Sequence, residues 1–252
     1  MSNKLLRGKT AVVTGASRGL GRAIAQNLGA AGAEIACVGR NTAKLEETKD
    51  LLDSEGVTSE TYVCDVRFES EVIDLERQVR ERFGPVHILV NNAGTAIRKN
   101  LVDFSLEEWG TVVDTNLTGV FLCSRAFVPH MREHKWGRVI NMTSIMANVG
   151  SAGRAAYCAS KHGVLAITKS MALEHAEDGI NVVAISPGFY ATDLTVPLRE
   201  DPVKNEELLS NVPTRRWGDP NEIAEIARFL CTEGASFITG TDIVSDGGWI
   251  AR

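Results

Sequence analysis

The 252-residue chain has no CxxC pair, no long apolar run, no excess of positive charge and no low-complexity tract. Each absence closes a class. The five cysteines (Cys37, Cys64, Cys123, Cys158 and Cys231) are odd in number and scattered. Neither a disulfide framework nor structural zinc suits them, and a reducing cytoplasm is the expected compartment. No stretch reaches the roughly 18 consecutive apolar residues that a membrane span needs. A net charge of −5 gives no electrostatic reason to expect nucleic acid or an anionic membrane as partner. The N-terminal "MSNKLLRGKT" runs into a strand without the apolar core of a signal peptide. The five histidines show no ligand spacing beyond His130 and His134, which read as solvent-facing, so no metal is expected.

What is present is a rhythm of strand then helix. "KTAVVTG" (9–15), "AEIACVG" (33–39), "ETYVCDV" (60–66), "HILVNNAG" (87–94), "GRVINMTS" (137–144), "INVVAISPG" (180–188) and a final "TDIVSDGG" read as strands. Between them lie helical patterns, including a long one at about 106–134 and another at about 154–178. Several strands are continuously apolar, as expected of a parallel sheet covered on both faces. The expectation is one α/β domain over residues 1–252, a doubly wound parallel sheet of the Rossmann type with about seven strands flanked by helices.

The first strand–helix turn reads "TGASRGLG", with Gly15, Gly19 and Gly21 spaced GxxxGxG. Glycine there allows a tight turn and close approach of a pyrophosphate to a helix N-terminus. Such a turn can also serve only to pack helix on strand, but its place on the first βα unit favours dinucleotide binding. The second strand ends "VGRN", with Gly39 where an NAD enzyme usually carries an acid, and Arg40 follows. Arg40 and Arg18 together suit a ribose 2′-phosphate, so NADP(H) is the expected coenzyme and NAD(H) the alternative.

In "AAYCASKHG" (155–163), Tyr157 and Lys161 stand one helical turn apart. A phenol with pKa near ~10 is a weak base at neutral pH, and an adjacent ammonium would lower that pKa. Tyr157 is then a candidate proton donor and acceptor. Ser144 closes a preceding strand and Asn92 another, which brings polar groups to the rim where doubly wound sheets bind ligands.

These stretches, with "CDV", "DTNLTGVF", "INMTS", "YCASK" and "SPGFYAT", resemble the short-chain dehydrogenase/reductase family from about residue 7 onward. The resemblance implies a catalytic set of Asn116, Ser144, Tyr157 and Lys161. Ser144 would bond the substrate oxygen and Tyr157 would exchange the proton. Lys161 would bind the nicotinamide ribose and acidify the phenol, while Asn116 would hold a water in a proton relay. It further implies coenzyme contacts from Gly15, Ser17, Arg18, Gly19, Leu20 and Gly21, from Arg40, Asp65 and Val66, and from Asn92, Ala93 and Gly94. Pro187, Gly188, Phe189 and Thr192 would complete them, with Asp65 accepting from the adenine amino group.

The segment 192–218 corresponds to the substrate lid of that family. It and the closing "SDGGWIAR" resemble enzymes that act on sugar acids such as gluconate. A sugar acid needs a cation, for which Arg98, Arg154, Arg199 and Arg252 are candidates, although each alone reads equally as a solvated arginine. A 3-oxoacyl-acyl-carrier-protein reductase is the alternative, and a non-catalytic dinucleotide sensor a more distant one. The partners expected are a small-molecule substrate and three further copies of the chain, in a homotetramer.

Overall fold

The computed structural model describes residues 5–251; Arg252 lies outside them. Seven strands form one sheet: β1 (Thr10–Thr14), β2 (Glu34–Gly39), β3 (Ser59–Val63), β4 (Ile88–Asn91), β5 (Gly137–Met142), β6 (Ile180–Pro187) and β7 (Asp242–Ser245). Their order is β3-β2-β1-β4-β5-β6-β7 with every pairing parallel, so the winding reverses between β1 and β4. At that reversal the loops leave in opposite directions and open a crevice beyond the strand C-termini.

The helices are α1 (Gly19–Ala30), α2 (Thr42–Ser54), α3 (Glu69–Phe83), α4 (Leu106–Val113), α5 (Gly119–His134), α6 (Ala155–His175), α7 (Val196–Arg199), α8 (Pro202–Ser210) and α9 (Pro220–Leu230). Alternation along β1 serves both faces. Val13 packs with Ile24, Leu28 and Ile35 on one side, and Val12 with Val38, Leu89 and Phe127 on the other. Capping chemistry sets several helix starts. Asp219 bonds the N–H of Asn221 and forms a capping box with Glu222, with Pro220 in the first turn of α9. By contrast, α1 begins at Arg18 with no side-chain cap and no acidic residue in its first turn.

The expected helix at 106–134 is interrupted. One turn of π-helix, Asp114–Thr118, joins α4 to α5, and it carries Asn116. Two strand ends also fall earlier than expected: β4 closes at Asn91 and β5 at Met142, so Asn92 and Ser144 stand on the loops beyond. His130 is not solvent-facing but buried, its Nε2 2.6 Å from Glu76 and its Nδ1 accepting from the Val86 N–H. Its position on α5 turns the imidazole toward α3, where the carboxylate satisfies it. Among the described residues no three His, Cys, Asp or Glu groups converge as metal ligands.

Candidate active site

The loop after β5 and the first turns of α6 bring Ser144, Tyr157 and Lys161 together. Ser144 is extended, and its hydroxyl accepts from the Met146 N–H at 3.2 Å while also bonding the Tyr157 phenol. Lys161 is buried, and its ammonium donates to the Met142 carbonyl at 2.7 Å. That places it 5.7 Å from the centre of the Tyr157 ring. Burial alone pushes the ammonium down to about 8.

The phenol corrects an expectation. Burial holds Tyr157 above the ordinary phenol value, and the groups that oppose this are the Ser144 hydroxyl and the Arg154 charge. Helical spacing puts Tyr157 and Lys161 on one face, but the lysine's long chain turns its charge onto a backbone carbonyl. A second cation stands at the ring: the Arg154 guanidinium carbon is 5.9 Å from its centre, about as near as the Lys161 ammonium. Arg154 reaches this place because Lys99 and Arg154 form an isolated parallel bridge, with the Lys99 N–H on the Gly153 carbonyl at 2.9 Å. The same bridge carries Arg98 close enough for its charge to depress Arg154, second to burial. Neither guanidinium has an acidic partner among the described residues. Arg199 stands exposed on α7, and among the described residues it has no acidic partner.

Asn116 is wholly buried and its amide is committed: Oδ1 accepts from the Thr95 N–H at 2.8 Å, and Nδ2 donates to the Thr95 carbonyl and the Ser160 hydroxyl. The side chain therefore braces the loop after β4 against α6. Gly94 lies between them: a Cβ built there would sit 3.4 Å from the Asn116 amide oxygen and 3.7 Å from the Lys161 ammonium.

The glycine turn has the shape the spacing demands. Gly15 and Gly19 take positive φ of 67° and 55°. A Cβ on Gly21 would fall 2.2 Å from the Gly15 carbonyl, so only glycine lets α1 close on the turn. Gly19 also faces Thr192, which closes the other side of the crevice. Ser17 offers its carbonyl to Arg22, and Leu20 packs into the core. Arg18 and Arg40 are exposed. Val66 packs against Gly119, Gly188 against Asp246, and Phe189 edge-on to Trp217 and Trp249. Pro187 ends β6.

Asp65 is more occupied than expected of an adenine acceptor. Arg67 grips both its oxygens at 2.7–3.0 Å, and Arg40 stands 3.7 Å away. Burial raises this carboxyl, but the Arg67 bonds and the two charges outweigh burial and hold it below its usual range. Arg67 and Thr14 were not among the expected site residues. The Thr14 hydroxyl accepts from the N–H groups of Asn92 and Ala93, at 2.9 and 3.0 Å, and Asn92 returns its amide to the Thr14 carbonyl. Threonine ending an apolar strand beside asparagine repeats was the available signal, but that pairing spans 78 residues.

These features fit a dinucleotide: an uncapped helix N-terminus behind glycines at positive φ, a crevice bounded by Thr192, exposed Arg40 after β2 and exposed Arg18 in the glycine turn. A family model described as enoyl-(acyl carrier protein) reductase matches residues 15–250. The 2-dehydro-3-deoxy-D-gluconate 5-dehydrogenase of Bacillus subtilis is 38% identical over 248 residues, 98% of this chain and 96% of that protein. A 3-oxoacyl-acyl-carrier-protein reductase of Staphylococcus epidermidis is 39% identical over 241 residues, 95% and 98% of the two chains. The crystal structure of a gluconate 5-dehydrogenase from Burkholderia cenocepacia, in complex with NADP and tartrate, matches with a TM-score of 0.94 at 32% identity. It covers 99% of this chain and 98% of that one. The chain belongs to the short-chain dehydrogenase/reductase family. It is an oxidoreductase acting on CH–OH groups with a nicotinamide dinucleotide.

Proposed function

We propose that the protein interconverts a secondary alcohol and a ketone on a small sugar acid, using NADP(H). Arg154 carries the substrate class. The Arg154 guanidinium lies beside the proton-exchanging phenol and is repelled by the Arg98 charge, and a carboxylate entering near both would relieve that cost. The relatives acting on gluconate derivatives, and the tartrate bound in one of them, support the same class.

The proton chemistry belongs to α6 and its neighbour loop. In reduction, Tyr157 gives its phenolic proton to the carbonyl oxygen while the Ser144 hydroxyl holds that oxygen. In oxidation the phenolate takes the proton back. Ser144 and Arg154 both favour the phenolate, against burial. Lys161, pushed toward neutrality, is able to pass protons on to solvent, and Asn116 keeps its helix in register through Ser160. The bound coenzyme supplies or accepts the hydride.

For the coenzyme, the absence of an acid at Gly39 and the exposure of Arg40 and Arg18 favour the 2′-phosphate. Arg40→Asp should then move the NADPH-to-NADH preference toward NADH by about 10–100-fold, the worth of one or two charged hydrogen bonds. An unchanged ratio rejects this assignment. The lid spans 192–218, its ends stitched by the Tyr190–Gly218 bridge, and the assembly is a homotetramer.

The deciding assay is NADPH oxidation with 5-ketogluconate against acetoacetyl thioester. Turnover of the thioester alone would select the acyl-carrier reading, to which exposed Arg98 and the Staphylococcus relative lend support. Tyr157→Phe should lower kcat about 10²–10⁴-fold with NADPH binding intact. Undiminished activity in that variant would overturn the mechanism.

A further inference from the structure

A polar network that the proton chemistry does not use holds the main chain of Ser144. The Ser186 hydroxyl, on β6, lies 3.1 Å from the Ser144 carbonyl, 2.7 Å from Thr143 Oγ1 and 2.8 Å from Asp242 Oδ2. Asp242 opens β7 on the face of the sheet that Ser186 shares, because β7 registers Asp242 with Ala184, two residues before Ser186. From the other end of the loop, Asn148 donates its amide to the same Asp242 oxygen at 2.8 Å. Thr143 Oγ1 is 3.5 Å from the second oxygen of that carboxylate and bonds the Ile185 carbonyl at 2.8 Å. Ser144 and Asn148 bracket the single turn Ile145–Ala147, so one carboxylate holds Asn148 directly and, through Ser186 and Thr143, the residue before Ser144.

The chemistry of the ties gives them direction. An ionised carboxylate only accepts, so Asn148 donates to it and Ser186 spends its single proton there rather than on the Ser144 carbonyl; Thr143 Oγ1 can then donate to the Ser186 oxygen. Thr143, Ser186 and the Ser144 carbonyl are buried, so each lost bond leaves a polar group without water to replace it. A carboxylate is otherwise out of place at the start of a strand that pairs with apolar β6.

We propose that Asp242 is a positioning residue for the reaction: through Ser186 and Asn148 it fixes residues 144–148, and with them the place of the Ser144 hydroxyl beside Tyr157. This rests on the reading of Ser144 and Tyr157 as the reacting pair. A carboxylate that merely joined β6 to β7 would stabilise the fold without coupling to Ser144.

A double-mutant cycle separates the two. Asp242→Ala and Asp242→Asn are made in the native chain and in Ser144→Ala. NADPH-linked turnover of 5-ketogluconate or acetoacetyl thioester is then measured, with the Kd for NADPH from its fluorescence. The phenolate absorbance of Tyr157 gives a readout free of substrate. The chain holds only 3 tyrosines, and subtracting Tyr157→Phe isolates this one. Asp242→Ala should lower kcat about 5–20-fold and move the Tyr157 titration to higher pH, as loss of the Ser144 bond requires. The Kd for NADPH should hold within about twofold, and Asp242→Asn, which keeps one acceptor oxygen, should recover most of the loss. In Ser144→Ala, Asp242→Ala should change neither quantity. Should Asp242→Ala not fold, Asn148→Ala, at an exposed position, asks the same question with a smaller effect. An equal loss in both backgrounds, or a loss of NADPH binding in step with kcat, overturns the role of Asp242. A Ser144→Ala variant with native kcat and native Tyr157 titration overturns the reading of the site itself, and this role with it.

Discussion

Residue by residue, the site is a balance of charges around one phenol. Tyr157 is pushed up by burial and drawn down by Ser144 and Arg154, while Lys161 spends its ammonium on the Met142 carbonyl. On the proposed function Arg154 has a double task, to receive an anion and to favour the phenolate, and Arg98 shares only the first. Arg98→Ala should raise KM for 5-ketogluconate about 10–100-fold with little change in kcat, the worth of a charged hydrogen bond. Arg154→Ala should raise KM similarly and also shift the alkaline-rising limb of alcohol oxidation to higher pH, because the phenolate loses a positive neighbour. Neither variant should affect reduction of an uncharged diketone through KM. An equal KM increase for charged and uncharged substrates would remove the carboxylate from the argument. The Tyr157/Lys161 spacing was plain in the sequence, but the second cation at the ring, Arg154, was not. That depends on a bridge between residues 99 and 154, and no periodicity reports a contact over such a separation.

Among the elements, the strand ends divide labour. At the C-terminal ends lie the glycine turn, the Thr14–Asn92 lock and the Ser144 loop. At the N-terminal ends the sheet is closed by His87, whose Nδ1 accepts from the Thr10 N–H at 3.2 Å and so needs a neutral ring. Burial, then Lys9 and His134, push its pKa down to about 4. The folded ring stays neutral where the unfolded one, near 6.5, takes up a proton, so stability is lost as pH falls from about 6.5 to 4. The loss attributable to this ring is about 3 kcal/mol at most. Urea midpoints measured between pH 7 and 4.5 should fall less steeply for His87→Gln than for the native chain, and parallel curves would refute this. The strand–helix order was legible from apolar runs and glycine punctuation. The π turn at Asp114–Thr118 was not, since its residues read as ordinary helix and the extra residue shows only in how α4 and α5 are joined.

For the whole molecule, large apolar side chains remain exposed at several places, among them Phe121 on α5, Leu173 on α6, Phe229 on α9 and Phe237 beyond it. Scattered exposure is ordinary on a protein surface, but exposed Phe and Leu on helices suit the two-fold interfaces of the proposed tetramer. Sedimentation equilibrium should give four chain masses, and Phe121→Asp or Phe237→Asp should each reduce this to two. A native chain that sediments as a monomer would exclude the assembly. Among the described residues no helix is long and apolar enough to cross a membrane.

The amino-acid order by itself determined the parallel sheet, the glycine-lined turn, the tyrosine–lysine pair and the family these define. Those properties reside in local spacing: a period of one helical turn, an apolar run, a residue without a Cβ. Only the tertiary structure decided that Arg154 joins Lys161 at the phenol, that Arg67 holds Asp65, and that a carboxylate on the last strand bonds the Ser144 loop. Each joins groups through long side chains or across strands distant in the chain, where side-chain reach and burial settle which partner is met.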